Sequence, residues 1–503
     1  MTGINIKTVR VLRFSAQILL ILLFLMVWVS AQKKIGNRAQ KRMQIEDEVK
    51  LATDRYLENE VCKGRGLFKS SRILRSREVE IIETLFKESD FPVRINRVSN
   101  DNIYLFQGVN KNAETERLFQ IFFELQNKSP NLPGLDGVFE PDFLIRGDMA
   151  PESKTITYSR WGVDVIGAPQ AWHKYGENVS QNQVVAVLDS GMSAAHPALT
   201  RNVWRSPKKY TAFPTRLGQP VECDLPDSYG FNFLGGSGTT LKQFCQPPDG
   251  TSNSHGTSVS GIIGSSKNFD SNVAGVAQQI GIVQVKVLNK DGMGCICDAI
   301  QGIDFVTYTI LPIVKGQRKE IRIINASFVT DPNIVSTLLE TAVRNAADKD
   351  ILIISAAGND SVQDISITRY YPASYSLPIF KLPNVVGVAA SGRAAQPKDE
   401  MLLGSSNRGR AAVQLAAPGS SVGTLMVGGG YHGFSRTSAA TPFVSASAAL
   451  VMGVCPKLKN AEVLNVLFME ANKTSPYIIK HVRDGRLNVF EAMNRAIRNP
   501  NCK

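Results

Sequence analysis

The chain has 503 residues, 43% of them hydrophobic and 20% charged, with 40 glycines; this excludes disordered and fibrous classes and leaves room for about two or three domains. The formal charge of +13 is dispersed apart from a basic C-terminal tail, and no basic stripe alternates with aromatics. Nucleic-acid binding is therefore not expected.

The segment MTGINIKTVRVLR carries Lys7, Arg10 and Arg13 ahead of the apolar run ILLILLFLMVWV at 18–29, which ends in VSA. So short a run suits a signal h-region better than a membrane span of about 20 residues, and residues 1–31 are read as a cleaved signal peptide. The basic flank QKKIGNRAQKR is the feature that would favour an uncleaved anchor over 14–31 instead. Residues 32–75, polar and charged, read as a linker. REVEIIETLFKES then predicts a helix, NIYLFQG a strand, ETERLFQIFFELQNKS an amphipathic helix and GVFEPDFLIR another strand, together a small α+β domain. RGDMAPESKT reads as an exposed linker.

From 160 onward short apolar runs alternate with helical stretches: QVVAVLDSG, IGIVQVKVL, IRIINASF, ILIISAAGND, NVVGVAA and VQLAAPG. Runs that are apolar on both faces and separated by helices predict a parallel sheet covered on both sides, with sites at the carboxyl ends of its strands. The apolar stretch 437–456, broken by Ser, Thr and Pro, reads as a buried helix. Of seven cysteines, six (223, 245, 295, 297, 455 and 502) lie beyond residue 150, an even set that suits disulfides in an oxidising compartment. Cys223 and Cys245 flank a Gly-rich segment, Cys455 is matched with Cys502, and Cys295 and Cys297 are too close for an easy mutual bridge.

Four polar residues stand beside small ones where such a fold builds sites. Asp189 ends QVVAVLDSG, and Asp at a strand end also serves as a turn residue. His255, one of five histidines, opens a small-residue helix in SNSHGTSVSGIIG. Gly358-Asn359 ends ILIISAAGND. Ser438 in FSRTSAATP precedes an apolar helix, where a hydroxyl is either an N-cap or a nucleophile held beside unpaired N–H groups.

In their order along the chain, VVAVLDSG, SHGTSVSGIIG, SAAGND and RTSAATPFVSASAALV resemble the four signature segments of the subtilisin-like serine proteases. WGVDVIGAPQAW, AGVAQQIGIVQVKVLNKDGMG and DGRLNVFEAM add matches, so that the likeness covers about 160–495. The resemblance implies an α/β fold, a subtilisin-like parallel sheet with helices on both faces, spanning 155–503. It implies that 76–154 is a small α+β, ferredoxin-like inhibitory propeptide with its cleavage linker. Asp189, His255 and Ser438 would be the catalytic triad and Asn359 the oxyanion-hole amide. Gly292, Met293, Gly294 and Ser327, Phe328, Val329 would be two edges pairing with an extended substrate, and Gly358 would line the first pocket. The implied function is that of a secreted serine endopeptidase made as a zymogen, acting through an acyl-enzyme on protein or peptide substrates, with its own propeptide as intramolecular inhibitor. The alternative is a catalytically impaired binding protein on the same fold.

Four positions depart from the family's pattern. Arg436 replaces the Gly before Thr-Ser; it strains the nucleophile loop if that Gly has a positive φ, and otherwise reaches across the leaving-group side to favour acidic residues. Ser258 replaces a second histidine. Val329 replaces a Gly and should narrow the first pocket. Ala198 replaces an Asp that binds calcium in many relatives; Asn268 is one remaining candidate ligand, and no cofactor or metal is assigned.

Overall fold

A computed structural model describes residues 61–109, 113–128, 137–147, 158–251, 254–317 and 319–502. Residues 1–31, read above as a signal peptide, and the stretch 148–157 fall outside it. The described chain opens with β1 (Val61–Lys69), α1 (Ser76–Glu88), β2 (Val93–Arg97), β3 (Ile103–Gly108), α2 (Thr115–Lys128) and β4 (Val138–Gly147). The four strands form an antiparallel sheet in the order β4-β1-β3-β2, the βαββαβ arrangement of a ferredoxin-like unit. Helix α1 places Ile82 and Phe86 one turn apart on its buried face, and Glu78 closes its first turn by accepting the Arg75 N–H at 2.8 Å. The core beneath is aromatic: Phe68, Phe86, Phe106 and Phe122 are fully buried, and Phe122 stacks on Phe139 with ring centroids 4.0 Å apart.

One boundary is corrected here. The polar stretch read as a linker through residue 75 contains β1, an inner strand of this sheet. VCKGRGLFK carries a charge in mid-strand, and that charge is buried: the Arg65 guanidinium lies 3.1 Å from the carboxylate of Asp142 on β4. β2 was also not expected, being five residues long with an exposed Arg94 on one face and a half-buried Arg97 on the other.

The rest of the chain is built on β5 (Gln183–Asp189), β6 (Gly230–Asn232), α3 (His255–Gly264), β7 (Gly281–Lys286), β8 (Met293–Cys295), α4 (Ile296–Asp304), β9 (Glu320–Ala326), β10 (Phe328–Thr330), α5 (Thr337–Asp348), β11 (Leu352–Ala356), β12 (Val385–Ser391), β13 (Leu415–Pro418), α6 (Thr437–Val454) and β14 (Gly485–Arg486). Eight strands form one parallel sheet in the order β14-β13-β12-β11-β9-β5-β7-β6. Six are the apolar runs read in the sequence; β6 and β14, at the edges, are too short to show a pattern. Every residue of β5, β7 and β12 is buried, which is why these strands read as continuous rather than alternating. Helix α6 is buried from Thr437 to Met452. Among the described residues two helical stretches, Ile296–Gly316 and Thr437–Val454, are long and apolar enough to cross a membrane, but 83% and 89% of their apolar windows are buried inside the fold.

The two units meet along β4. Its last residues run antiparallel to β8 on one side and β10 on the other, with Leu144 to Arg146 facing Cys295 to Met293 and Ile145 to Gly147 facing Thr330 to Phe328. Two of its carboxylates cap helices across the junction. Glu140 accepts from the Thr337 N–H at 3.1 Å and its hydroxyl at 2.9 Å, and from the Ser336 hydroxyl, at the start of α5; Asp142 accepts the Cys297 N–H at 2.9 Å, at the start of α4. Burial still pushes the Glu140 carboxyl up to about 7, against the hydrogen bonds from Ser336 and Thr337. Beside it Arg65, Asp142, Arg216 and Asp298 balance two cations against two anions, and the Cys62–Cys295 disulfide joins β1 to β8.

The cysteine pattern is thus partly corrected. Cys223–Cys245 and Cys455–Cys502 form as read, but the third bridge uses Cys62, outside the even set, and leaves Cys297 a buried free thiol. Burial raises that thiol well above its usual pKa, so it is an inert member of the charge cluster rather than a nucleophile. Asp142→Ala strips the partner from a guanidinium that is almost fully buried. We expect it to lower stability by about 3–5 kcal/mol in urea unfolding, and a loss below about 1 kcal/mol would show that Arg65 needs no counter-charge.

Candidate active site

β5 and β7 carry their buried runs to one end of the sheet, where β5 stops at Asp189. Its Oδ1 accepts the Ser190 N–H at 2.7 Å and lies 2.7 Å from His255 Nδ1; both side chains are fully buried. An ionised carboxylate is acceptor-only, so this contact puts a proton on Nδ1 and makes Nε2 the ring's basic nitrogen. The His255 ring meets Phe434 edge-on at 5.4 Å, which limits its tilt.

His255 is the first residue of α3, and a residue overlooked in the sequence holds it there. Asp249 accepts from the Ser190 hydroxyl at 3.0 Å, from Thr251 at 3.1 and 2.6 Å and from Thr257 at 2.9 and 2.8 Å. Thr251 Oγ1 in turn accepts the His255 N–H at 2.9 Å. One buried carboxylate thus ties the ends of the loop before α3 to the residue after Asp189. Nothing in the irregular stretch 201–250 singles out this acid, and its placement is visible only in the fold.

Ser438 is the second residue of α6, where backbone N–H groups have no partner within the helix. Pro442 lies four residues on and has no N–H to give to the Ser438 carbonyl. That carbonyl accepts the Ser327 hydroxyl at 3.2 Å, and the Ser438 hydroxyl donates to the Ser327 carbonyl at 3.2 Å. Pro442 therefore sits one turn inside the helix, not at its start. Asn359 follows β11; its Oδ1 accepts both the N–H and the hydroxyl of Thr437 at 3.0 Å. Both carbonyl lone pairs are thereby engaged, so the side-chain NH2 is the end presented to the cavity that Asn359 shares with Ser438. Gly358, in the same lining, has φ +98°, and a Cβ there would meet Asn407 Nδ2 at 2.4 Å.

Both segments expected as edges pair with β4. The Gly147 N–H donates to the Gly292 carbonyl at 2.9 Å, Met293 and Gly294 pair with Arg146 and Ile145, and Phe328 and Val329 pair with Gly147 and Arg146. A Cβ built on Gly147 would lie 3.4 Å from His255 Cε1 and 2.9 Å from Leu288 Cδ1. Gly147 also lines the cavity with Ser438, Asn359 and Val329, so the end of β4 lies close to the imidazole and borders that cavity.

Three departures from the family pattern take a definite form. Arg436 has φ 75° and ψ −166°, a region reserved almost entirely for glycine, so the branch in which Arg strains the loop is the one realised. Ser258 Oγ donates to the Leu425 carbonyl at 3.0 Å and lies 2.7 Å from His432 Nε2, so an imidazole reaches this spot from another strand. Burial lowers the His432 pKa. Ala198 is buried and offers no side-chain oxygen, while the Asn268 N–H donates to Ser266 Oγ at 3.4 Å. That donor set is one carboxylate short of the calcium site, and no step that follows uses a metal.

A profile of the subtilase family matches residues 180–488, the span that holds Asp189, His255, Asn359 and Ser438 but not β4. The chain belongs to the subtilase family. It is 30% identical over 303 residues to subtilisin of Bacillus pumilus, a stretch covering 60% of this chain and 88% of that protein. It is 29% identical to subtilisin E of Bacillus subtilis and 25% identical to subtilisin-like protease 1 of Plasmodium berghei, spanning 63% and 54% of those longer chains. As a subtilase it is a subtilisin-like serine protease on an α/β fold. Arg436→Gly in this subtilase removes the positive-φ strain, and we expect a gain of about 1–3 kcal/mol in the urea unfolding free energy. An unchanged midpoint would mean that the loop carries no strain.

Proposed function

We propose that this subtilase is a serine endopeptidase made as a zymogen, with the unit ending at Gly147 as its inhibitory propeptide. The observation that carries this reading is β4, seated antiparallel on both cleft edges with Gly147 against His255. In the proposed mechanism Asp189 holds His255 in the Nδ1–H tautomer and stabilises the imidazolium. His255 Nε2 takes the Ser438 proton as Oγ attacks the peptide carbonyl, then passes it to the leaving amine. The acyl-enzyme is hydrolysed by water through the same groups. The Asn359 amide and the Ser438 N–H stabilise the oxyanion. Extended substrates occupy β8 and β10 as β4 does, with Val329 narrowing the pocket beyond Gly147. Three disulfides support a route through the secretory pathway, with a retained anchor over 14–31 as the membrane-bound form. The strain at Arg436 is what speaks for a silent binding protein; the buried Asp189–His255 pair and the oriented Asn359 make that reading the weaker one.

Wild-type and Ser438→Ala chains should differ on gels. The wild type is expected to split between residues 146 and 156, and the variant to stay whole. Because Cys62 is bonded to Cys295, the two wild-type pieces should run as one species until a thiol reductant is added. Splitting of both chains would assign the cut to another protease, and pieces that separate without reductant would show that the bridge does not hold the propeptide. Asn359→Ala is expected to slow peptide hydrolysis about 10²–10³-fold in kcat with little change in KM; a loss under about threefold would remove its amide from the oxyanion site.

A further inference from the structure

β4 is held in the cleft by more than its backbone. Arg146, paired on one side with Met293 and on the other with Val329, projects its guanidinium between two acids carried by different loops. Its Nε lies 2.9 Å from Asp331 Oδ1, and its Nη2 lies 2.9 Å from Asp360 Oδ2. Asp331 directly follows β10, and Asp360 directly follows Asn359. Both loops are fixed by bonds of their own. The Asp360 N–H donates to Asn407 Oδ1 at 2.9 Å, and the Asn333 N–H donates to the Arg369 carbonyl at 2.7 Å. Burial alone would lower the Arg146 pKa, but Asp360 and Asp331 outweigh it and hold it above its usual value.

We propose that Asp331 and Asp360 form a specificity subsite for a basic residue, arginine above all, at the substrate position that pairs with Val329. The inference rests on the protease reading, since it takes substrates to use the edges that β4 uses. Register then follows from the ladder: whichever residue pairs with Val329 places its side chain between the two acids, and the next residue lies against His255, where only a small side chain fits. Arginine bridges both carboxylates with two nitrogens of one planar fork, whereas lysine brings a single point charge. The acids are partly exposed, with side chains 21% and 36% accessible, so each contact is of the modest, salt-screened kind.

The test uses the self-processed full chain, with and without reductant, and fluorogenic peptides that repeat residues 142–151 with Arg, Lys, citrulline or Ala at the position of Arg146. The expected order in kcat/KM is Arg, then Lys, then citrulline and Ala together, with Arg over citrulline by roughly 3–30-fold at low salt and less at 0.5 M salt. In Asp331→Asn/Asp360→Asn the Arg-to-citrulline ratio should fall towards one. Equal cleavage of all four peptides, or a ratio that survives in the double variant, overturns the subsite while leaving the protease reading intact. A second measurement needs no turnover. In the Ser438→Ala background, the Tm losses of Arg146→Ala and of the double Asn variant should be less than additive when combined. If no peptide is cut but the losses are non-additive, the protease reading fails and the acid pair stands as the basic-residue site; additive losses overturn the pair itself.

Discussion

Backbone pairing of residues 144–147 with two strands at once is the contact on which the arrangement of the molecule depends. β8 and β10 are short, three residues each, and each offers a free edge towards the other. A strand laid between them satisfies both ladders and becomes part of a sheet that continues through β1 into β3 and β2. The small N-terminal sheet and the two strands β8 and β10 therefore share hydrogen bonds. The helix caps from Glu140 and Asp142 add direction, because a carboxylate at a helix start is favoured only when strand register delivers it there.

The placement of His255 and Ser438 is set by groups around them. Asp249 gathers five hydrogen bonds from three residues around the start of α3, so the imidazole inherits its position from a loop clamped at both ends. Pro442 plays a comparable part for α6. By withholding an N–H from the Ser438 carbonyl, it frees that carbonyl for the hydroxyl of Ser327, and the start of α6 is stitched to the segment that leads into β10. These supports are local, built from residues that neighbour His255 and Ser438 in the fold.

Much of this was legible in the sequence, for reasons particular to each residue. Asp189 and Asn359 stand out because a buried apolar run that ends in a polar group beside small neighbours is costly unless the polar group is used, and His255 and Ser438 because each is a polar group at the start of a small-residue or apolar helix. The central strands were legible because burial on both faces removes alternation. Cys62 was not, because its partner lies 233 residues away and no local pattern records a long-range bridge. β1 was missed because Arg65 makes a buried strand look solvated, and the ion pair that reverses this belongs to β4. Asp249 is one acid in an irregular stretch, without periodicity to mark it. At Arg436 the sequence posed the question of backbone sign, and only coordinates choose between the two answers.

The Cys62–Cys295 bridge has a consequence for biosynthesis. Cys62 leaves the ribosome long before Cys295, and the residues between them include β5, α3 and all of β4. The two sulfurs come together only when β1 is seated in its own sheet, β8 has been made, and β4 lies beside both. A chain whose strand has slipped by one residue carries every side chain to the opposite face, and the two cysteines no longer meet. The Cys62–Cys295 bond is thus compatible only with a chain whose strands have assembled in this register.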